Sequence, residues 1–113
     1  MVEHEQPAGV IRVARPVLST IVLNTALQIP GVVRMAHTND QWSRLIGRDV
    51  PHQGVALTVK ENTVSADLYL IVKSGSNIVE VGTAVQEEVA AAIEMMIGMH
   101  VQGVNVYIQD IAC

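Results

Sequence analysis

The chain has 113 residues, half of them apolar but only 3% aromatic and with no Phe, so one domain with a purely aliphatic core accounts for it. A net charge of -4, with only seven Lys and Arg, excludes a general phosphate-backbone binder, which needs clustered cations. No apolar run reaches the roughly 18 residues of a membrane-crossing helix, and the first residues carry acids rather than bases, so neither membrane insertion nor a secretory signal is expected.

Residues 1–9, polar and holding Pro7 and Gly9, predict a flexible N-terminal arm ahead of a single domain over 10–113. Val10 to Ala14 is a short strand candidate. Pro16 suits a first helical turn, where its missing N–H would have had no partner, and Val17, Leu18, Ile21, Val22, Thr25, Ala26 and Ile29 recur at helical spacing. The spacing predicts a helix from Pro16 to Gln28, stopped by Pro30 and Gly31, and then an extended piece from Val32 to Ala36. Thr38 with Gln41 has the form of a capping box, and Trp42, Leu45 and Ile46 then share one face of a short helix ending at Gly47. Arg48 to Gln53 reads as a loop.

Gly54 to Lys60 alternates Val55, Leu57 and Val59 against Ala56, Thr58 and Lys60. Val64, Ala66, Leu68, Leu70 and Val72 alternate in turn with Ser65, Asp67, Tyr69, Ile71 and Lys73. Glu61-Asn62-Thr63 is short enough to join the two as an antiparallel hairpin. Asn77, with Glu80 three residues on, marks the start of a long helix to Ile97. On its wheel Ile78, Val81, Gly82, Val85, Val89, Ala92, Ile93 and Met96 face the core. Glu80, Thr83, Glu87 and Glu94 form a narrow polar stripe. Val79, Ala90 and Ile97 on one flank, and Ala84, Ala91 and Met95 on the other, widen the apolar surface enough to require deep burial or a partner, and these six residues are the candidate interaction surface. Gly98 takes the turn, and Val101, Val104, Val106 and Ile108 lead out as a final strand.

The order β-α-β-(α)-β-β-α-β, with two main helices of one apolar face each, predicts an α+β two-layer sandwich: a small mixed sheet with both helices on one face. The opposite sheet face would carry Ser65, Asp67, Tyr69, Lys73, Asn105, Tyr107 and Gln109, polar except at Ile71.

Nothing here assembles into a reactive constellation. His4, His37, His52 and His100 are scattered, with no helical i, i+4 pair and no neighbouring cysteine, so no metal site is expected. Ser43, Ser65, Ser74 and Ser76 stand outside any nucleophile elbow. Glu87 and Glu88 are adjacent and diverge by about 100° on a helix, too far apart to share a proton. Gly75-Ser76-Asn77 offers helix N–H groups to an anion, but Asn77 is placed to occupy them. Arg12, Arg15, Arg34, Arg44 and Arg48 all lie in the first half and could group at one end. Trp42 reads as a packing residue. Cys113, the lone cysteine, excludes an internal disulfide and suits a reducing cytoplasm. No catalytic residue and no cofactor is expected.

Gly31-Val32, Gly54-Val55, Ala66-Asp67-Leu68, Ile78, Val81, Val85-Gln86, Val89, Ala92, Gly98 and Val104-Asn105-Val106, in this order, resemble the bacterial alkaline shock protein family, also called envelope stress response proteins. The resemblance spans nearly the whole chain. It implies an abundant, non-enzymatic cytoplasmic protein that self-associates into a homo-oligomer and reaches the membrane, where it does so, through a membrane-anchored partner protein. Ser74-Gly75 replaces the frequent Tyr-Gly of the family, and Ile29-Pro30 replaces an acidic residue and Val. The polar tails of some relatives are absent, which bears on the anchoring partner more than on self-association. The competing expectation is a small ligand- or RNA-binding regulatory module using the sheet face around Tyr69 and Tyr107, although low basicity and few aromatic rings disfavour RNA.

Overall fold

In the computed structural model, residues 12–36 and 52–112 are described. The alternating run that follows the hairpin turn becomes the strand Thr63–Lys73, and the remaining elements arrange themselves about it. In chain order they are α1 (Arg15–Leu27), β1 (Val32–Met35), β2 (Val55–Lys60), β3 (Thr63–Lys73), α2 (Ile78–Ala92) continued by a π-helical turn over Ile93–Ile97, and β4 (His100–Ala112).

β2 pairs antiparallel with the first half of β3, from Lys60 opposite Thr63 to Val55 opposite Leu68. β1 pairs antiparallel with its end, Met35 opposite Leu70 and Val32 opposite Val72. β4 runs parallel to β3 along its whole length. Because Leu68 partners both Val55 and Val106, and Leu70 both Met35 and Ile108, β1 and β2 lie end to end on one edge of β3 and β4 holds the other. The sheet is thus mixed, as expected.

Both helices lie on one face. Leu18, Val22 and Ala26 of α1 and Val81, Val85, Val89 and Ile93 of α2 close over Val64, Leu68, Leu70 and Val72 in one aliphatic cluster. Leu68, Leu70 and Ile93 are fully buried, each such side chain contributing roughly 1.5–3 kcal/mol. The two-layer α+β sandwich read from the sequence is the fold that forms.

Three expectations change. Arg12 to Ala14, the described part of the first strand candidate, pair with no other described strand, and Ala14 caps α1 instead. The final strand extends to Ala112, because bulges at Gln102 and Gln109 let it follow β3 to its end. The face opposite the helices is not uniformly polar. Tyr69 and Ile71 are buried with Ala36 in a second small cluster, flanked by Tyr107 and Ala112. Tyr69 and Tyr107 are direct partners in the parallel register, so their rings stack at 4.8 Å and 17°. Toward the other end the face is polar, and Asn105 Nδ2 donates to Asp67 Oδ1 at 2.9 Å. The arm, the Thr38 to Gly47 helix and most of the following loop lie outside the described residues.

Gly54 enters β2 with φ 73°, and a Cβ there would stand 2.9 Å from the carbonyl oxygens of Ala36 and Tyr69. Backbone on both sides leaves no room to yield. Gly54→Ala should therefore cost roughly 2–4 kcal/mol in urea denaturation, whereas Gly98→Ala, with open space around it, should cost about 1 kcal/mol. Equal losses at both positions would contradict this packing.

Candidate interaction surface

Asn77 Oδ1 accepts from the Glu80 N–H at 3.0 Å, the cap expected from the sequence. From there Val81, Val85, Val89 and Ile93 bury one face, and Glu80, Thr83, Glu87 and Glu94 face solvent. The last turn then departs from the α-helical wheel. Gly98 N–H bonds the Ile93 carbonyl at 3.1 Å as well as that of Glu94 at 3.2 Å, an i→i+5 closure that widens the turn. The inward position consequently moves on by one residue. Ile97 packs against the core, while Met96, assigned to the core face by a 100° wheel, is 68% exposed.

The six candidate residues therefore separate. Val79 is 75% exposed and Met95 84%. Ala84, Ala90 and Ile97 pack partly buried against the core, and Ala91 is half-buried. Met96 joins the exposed set, and no local residue signals the π-turn that puts it there. Gln86 also matters beyond its place in the family pattern. Its Nε2 donates to the Val104 carbonyl of β4 at 3.0 Å, which fixes the Val79, Gln86 and Ala90 flank of α2 beside the outermost strand.

No other arrangement of the described residues gathers chemistry. Among the described residues, no three His, Cys, Asp or Glu side chains come close enough to hold a metal ion. An open cleft of about 640 Å³ has an apolar floor of Leu18, Val59, Ile97 and Met99, with Arg12, Arg15, Glu61 and Asn62 around it. Its Arg15 already donates Nη1 to the Leu57 carbonyl at 2.9 Å. Arg34, bonded to the Met35 carbonyl, sits on β1 toward the opposite end of β3, so the described arginines do not form one basic patch. Arg44, Arg48, His4, His37, Trp42, Ser43 and Cys113 lie outside the described residues. A base-stacking platform on the sheet is closed off, because Tyr69 is 7% exposed and its ring is engaged with Tyr107. No described helix is long and apolar enough to cross a membrane.

Against known proteins, residues 3–113 match the model of the ASP23 family, described as having a cell envelope-related function. The chain is similar to an uncharacterized protein, Spy1614, of Streptococcus pyogenes serotype M6, at 32% identity over 106 residues, covering 91% of this chain and 88% of that one. It is also similar to the uncharacterized protein YloU of Bacillus subtilis strain 168, at 27% identity over 113 residues, covering 97% and 94%. Among solved structures, two variants of the MamM CTD share the fold with TM-scores of 0.52, at 18% and 17% identity. Each covers 84% of this chain, against 95% and 94% of its own.

The changed register of the last turn has a direct consequence for stability. Ile97→Ala should lose about 1–3 kcal/mol of unfolding free energy, and Met96→Ala should stay within about 0.5 kcal/mol of the parent chain. Thermal or urea unfolding separates the two, and the reverse ranking would restore an uninterrupted α-helical wheel.

Proposed function

The chain belongs to the alkaline shock protein (ASP23) family, of cell envelope-related function, and from that premise we propose that it is a non-enzymatic, self-associating protein of the bacterial envelope and alkaline stress response. It works in the cytoplasm as a scaffold or partner-binding module. A membrane-anchored protein partner, rather than insertion of this chain, would bring it to the envelope.

One observation carries this reading. The helix that supplies most of the helical side of the core also holds Val79, Met95 and Met96 in solvent, at 75%, 84% and 68% exposure. Exposed apolar side chains of this size on a well-packed helix suit a contact surface. Met is particularly adaptable there, because its unbranched thioether fits irregular partner surfaces. Substrate chemistry would instead call for convergent titrating groups in a cleft. Among its described lining residues the cleft beside α1 offers Arg15 tied to β2 and Glu61 at its rim, and no nucleophile paired with a base.

Sedimentation velocity of the purified chain at micromolar concentration should show a dimer or larger species. Val79→Glu should shift it toward monomer while leaving the unfolding midpoint near the parent value, since the position is exposed. A parent chain that stays monomeric at hundreds of micromolar would overturn the reading.

A further inference from the structure

The longest strand of the sheet is also its outermost. β4 pairs with β3 on one side, and among the described residues no strand pairs with its other edge. Which backbone groups face that open edge follows from the ends of the ladder. His100 N–H donates to the Asn62 carbonyl at 2.9 Å, and Ser74 N–H donates to the Ala112 carbonyl at 2.7 Å. On the far side of β3, Lys73 N–H reaches Gly31, and the Tyr69 carbonyl accepts from Ala36 N–H. Odd-numbered residues of β3 thus serve β1 and β2, and even-numbered ones serve β4. In a parallel ladder this parity turns the backbone of Gly103, Asn105 and Tyr107 toward β3, and the N–H and C=O groups of Val104, Val106 and Ile108 outward.

Both ends of this outward row are already satisfied by side chains. Gln86 Nε2 occupies the Val104 carbonyl at 3.0 Å, and Asp110 Oδ1 accepts the Ile111 N–H at 2.8 Å. Between them lie Val106 and Ile108, each with an outward donor and acceptor. Edges that must stay single carry Lys, Pro or inward charges. Residues 100–112 contain no Lys, Arg, Glu or Pro, and Asp110 is their one acid.

We propose that the Val106–Ile108 edge of β4 is a self-recognition site that pairs antiparallel with the same edge of a second copy, about a two-fold axis through Tyr107. This rests on the self-association proposed above and assigns its surface. Val106 of each copy then stands opposite Ile108 of the other, and the two exchange both backbone hydrogen bonds, four in all. The contact is isologous, as closed dimers require. Electrostatics permit it, because Asp110 falls near the apolar Val104 level of the second copy, away from the other Asp110. The flank of α2 completes it. A Cβ on Gly82 would lie 4.0 Å from Val106, and Gln86 binds Val104, so Val79, one turn before Gly82, stands near the level of Ile108 above the open edge. Its exposed side chain meets its own copy across the axis. On the other sheet face the stacked Tyr69–Tyr107 pair continues into the second copy as one row of rings.

A residue on the axis is its own partner, with a Cα separation of about 4.5 Å in a non-hydrogen-bonded antiparallel pair, within disulfide reach. In a chain carrying Cys113→Ser, Tyr107→Cys should therefore cross-link to a covalent dimer under mild oxidation, and Gln102→Cys, exposed but off the axis, should not. The parent chain supplies a measurement without substitution. Amide hydrogen exchange at Val106 and Ile108 should slow at least about tenfold as concentration rises through the monomer–dimer range read by sedimentation. A dimer by sedimentation with neither cross-linking at position 107 nor slowed exchange at these two amides overturns this interface and leaves self-association standing. A monomeric parent chain overturns both.

Discussion

Parallel pairing between β3 and β4 is the constraint from which the remaining architecture follows. Two parallel neighbours cannot be joined by a tight turn, so the chain must return over the sheet before starting β4, and α2 is that return. Its length is set by the strands it bridges. Its apolar face is committed to Val64, Leu68, Leu70 and Val72 beneath it, and α1 fills the area of the same sheet face that α2 leaves open. With β1 and β2 on the far edge of β3, the central strand is paired on both sides. Five successive residues, Leu68 to Val72, are buried.

Once α2 is placed over β3 and β4, what the molecule presents outward is also determined. The helix flank beyond the core comes to lie along the outer strand, with Gln86 joining the two. Val79 remains in solvent beside a strand edge, and the π-turn carries Met95 and Met96 outward at the far end. The protein thus offers shape, apolar side chains and backbone hydrogen-bonding groups, which are the means of association. The ring pair of Tyr69 and Tyr107 stacks on the other face, beside the same edge.

Much of this is legible in the order of residues, for identifiable reasons. The hairpin reads because Val55, Leu57 and Val59, then Val64, Ala66, Leu68, Leu70 and Val72, recur at every second position around a short polar turn, and α2 reads because Asn77, Glu80 and Gly98 mark both its ends. Other features depend on information that a local pattern lacks. Met96 was assignable to the core only for as long as the helix kept 100° per residue, and the i→i+5 closure at Gly98 ends that regularity. The burial of Tyr69 and Ile71 depends on what lies across β4 and near Ala36, contacts distant in the chain. That no described strand pairs with the outer edge of β4 likewise emerges only from the strand order, since its sequence alternates like that of any half-buried strand. The six residues chosen from the helical wheel illustrate the mixture. Val79 and Met95 are accessible, while Ala84, Ala90 and Ile97 serve the core.

Contact between copies along α2 and β4 is the proposed mode of action. An isotope-filtered NMR experiment on an equal mixture of labelled and unlabelled chains addresses it most directly, because only contacts between copies survive the filter. Intermolecular cross-peaks are expected from the methyl groups of Val79 and from the backbone of Val106 and Ile108. Cross-peaks confined to another surface, or none at concentrations where the chain sediments as a dimer, would contradict it.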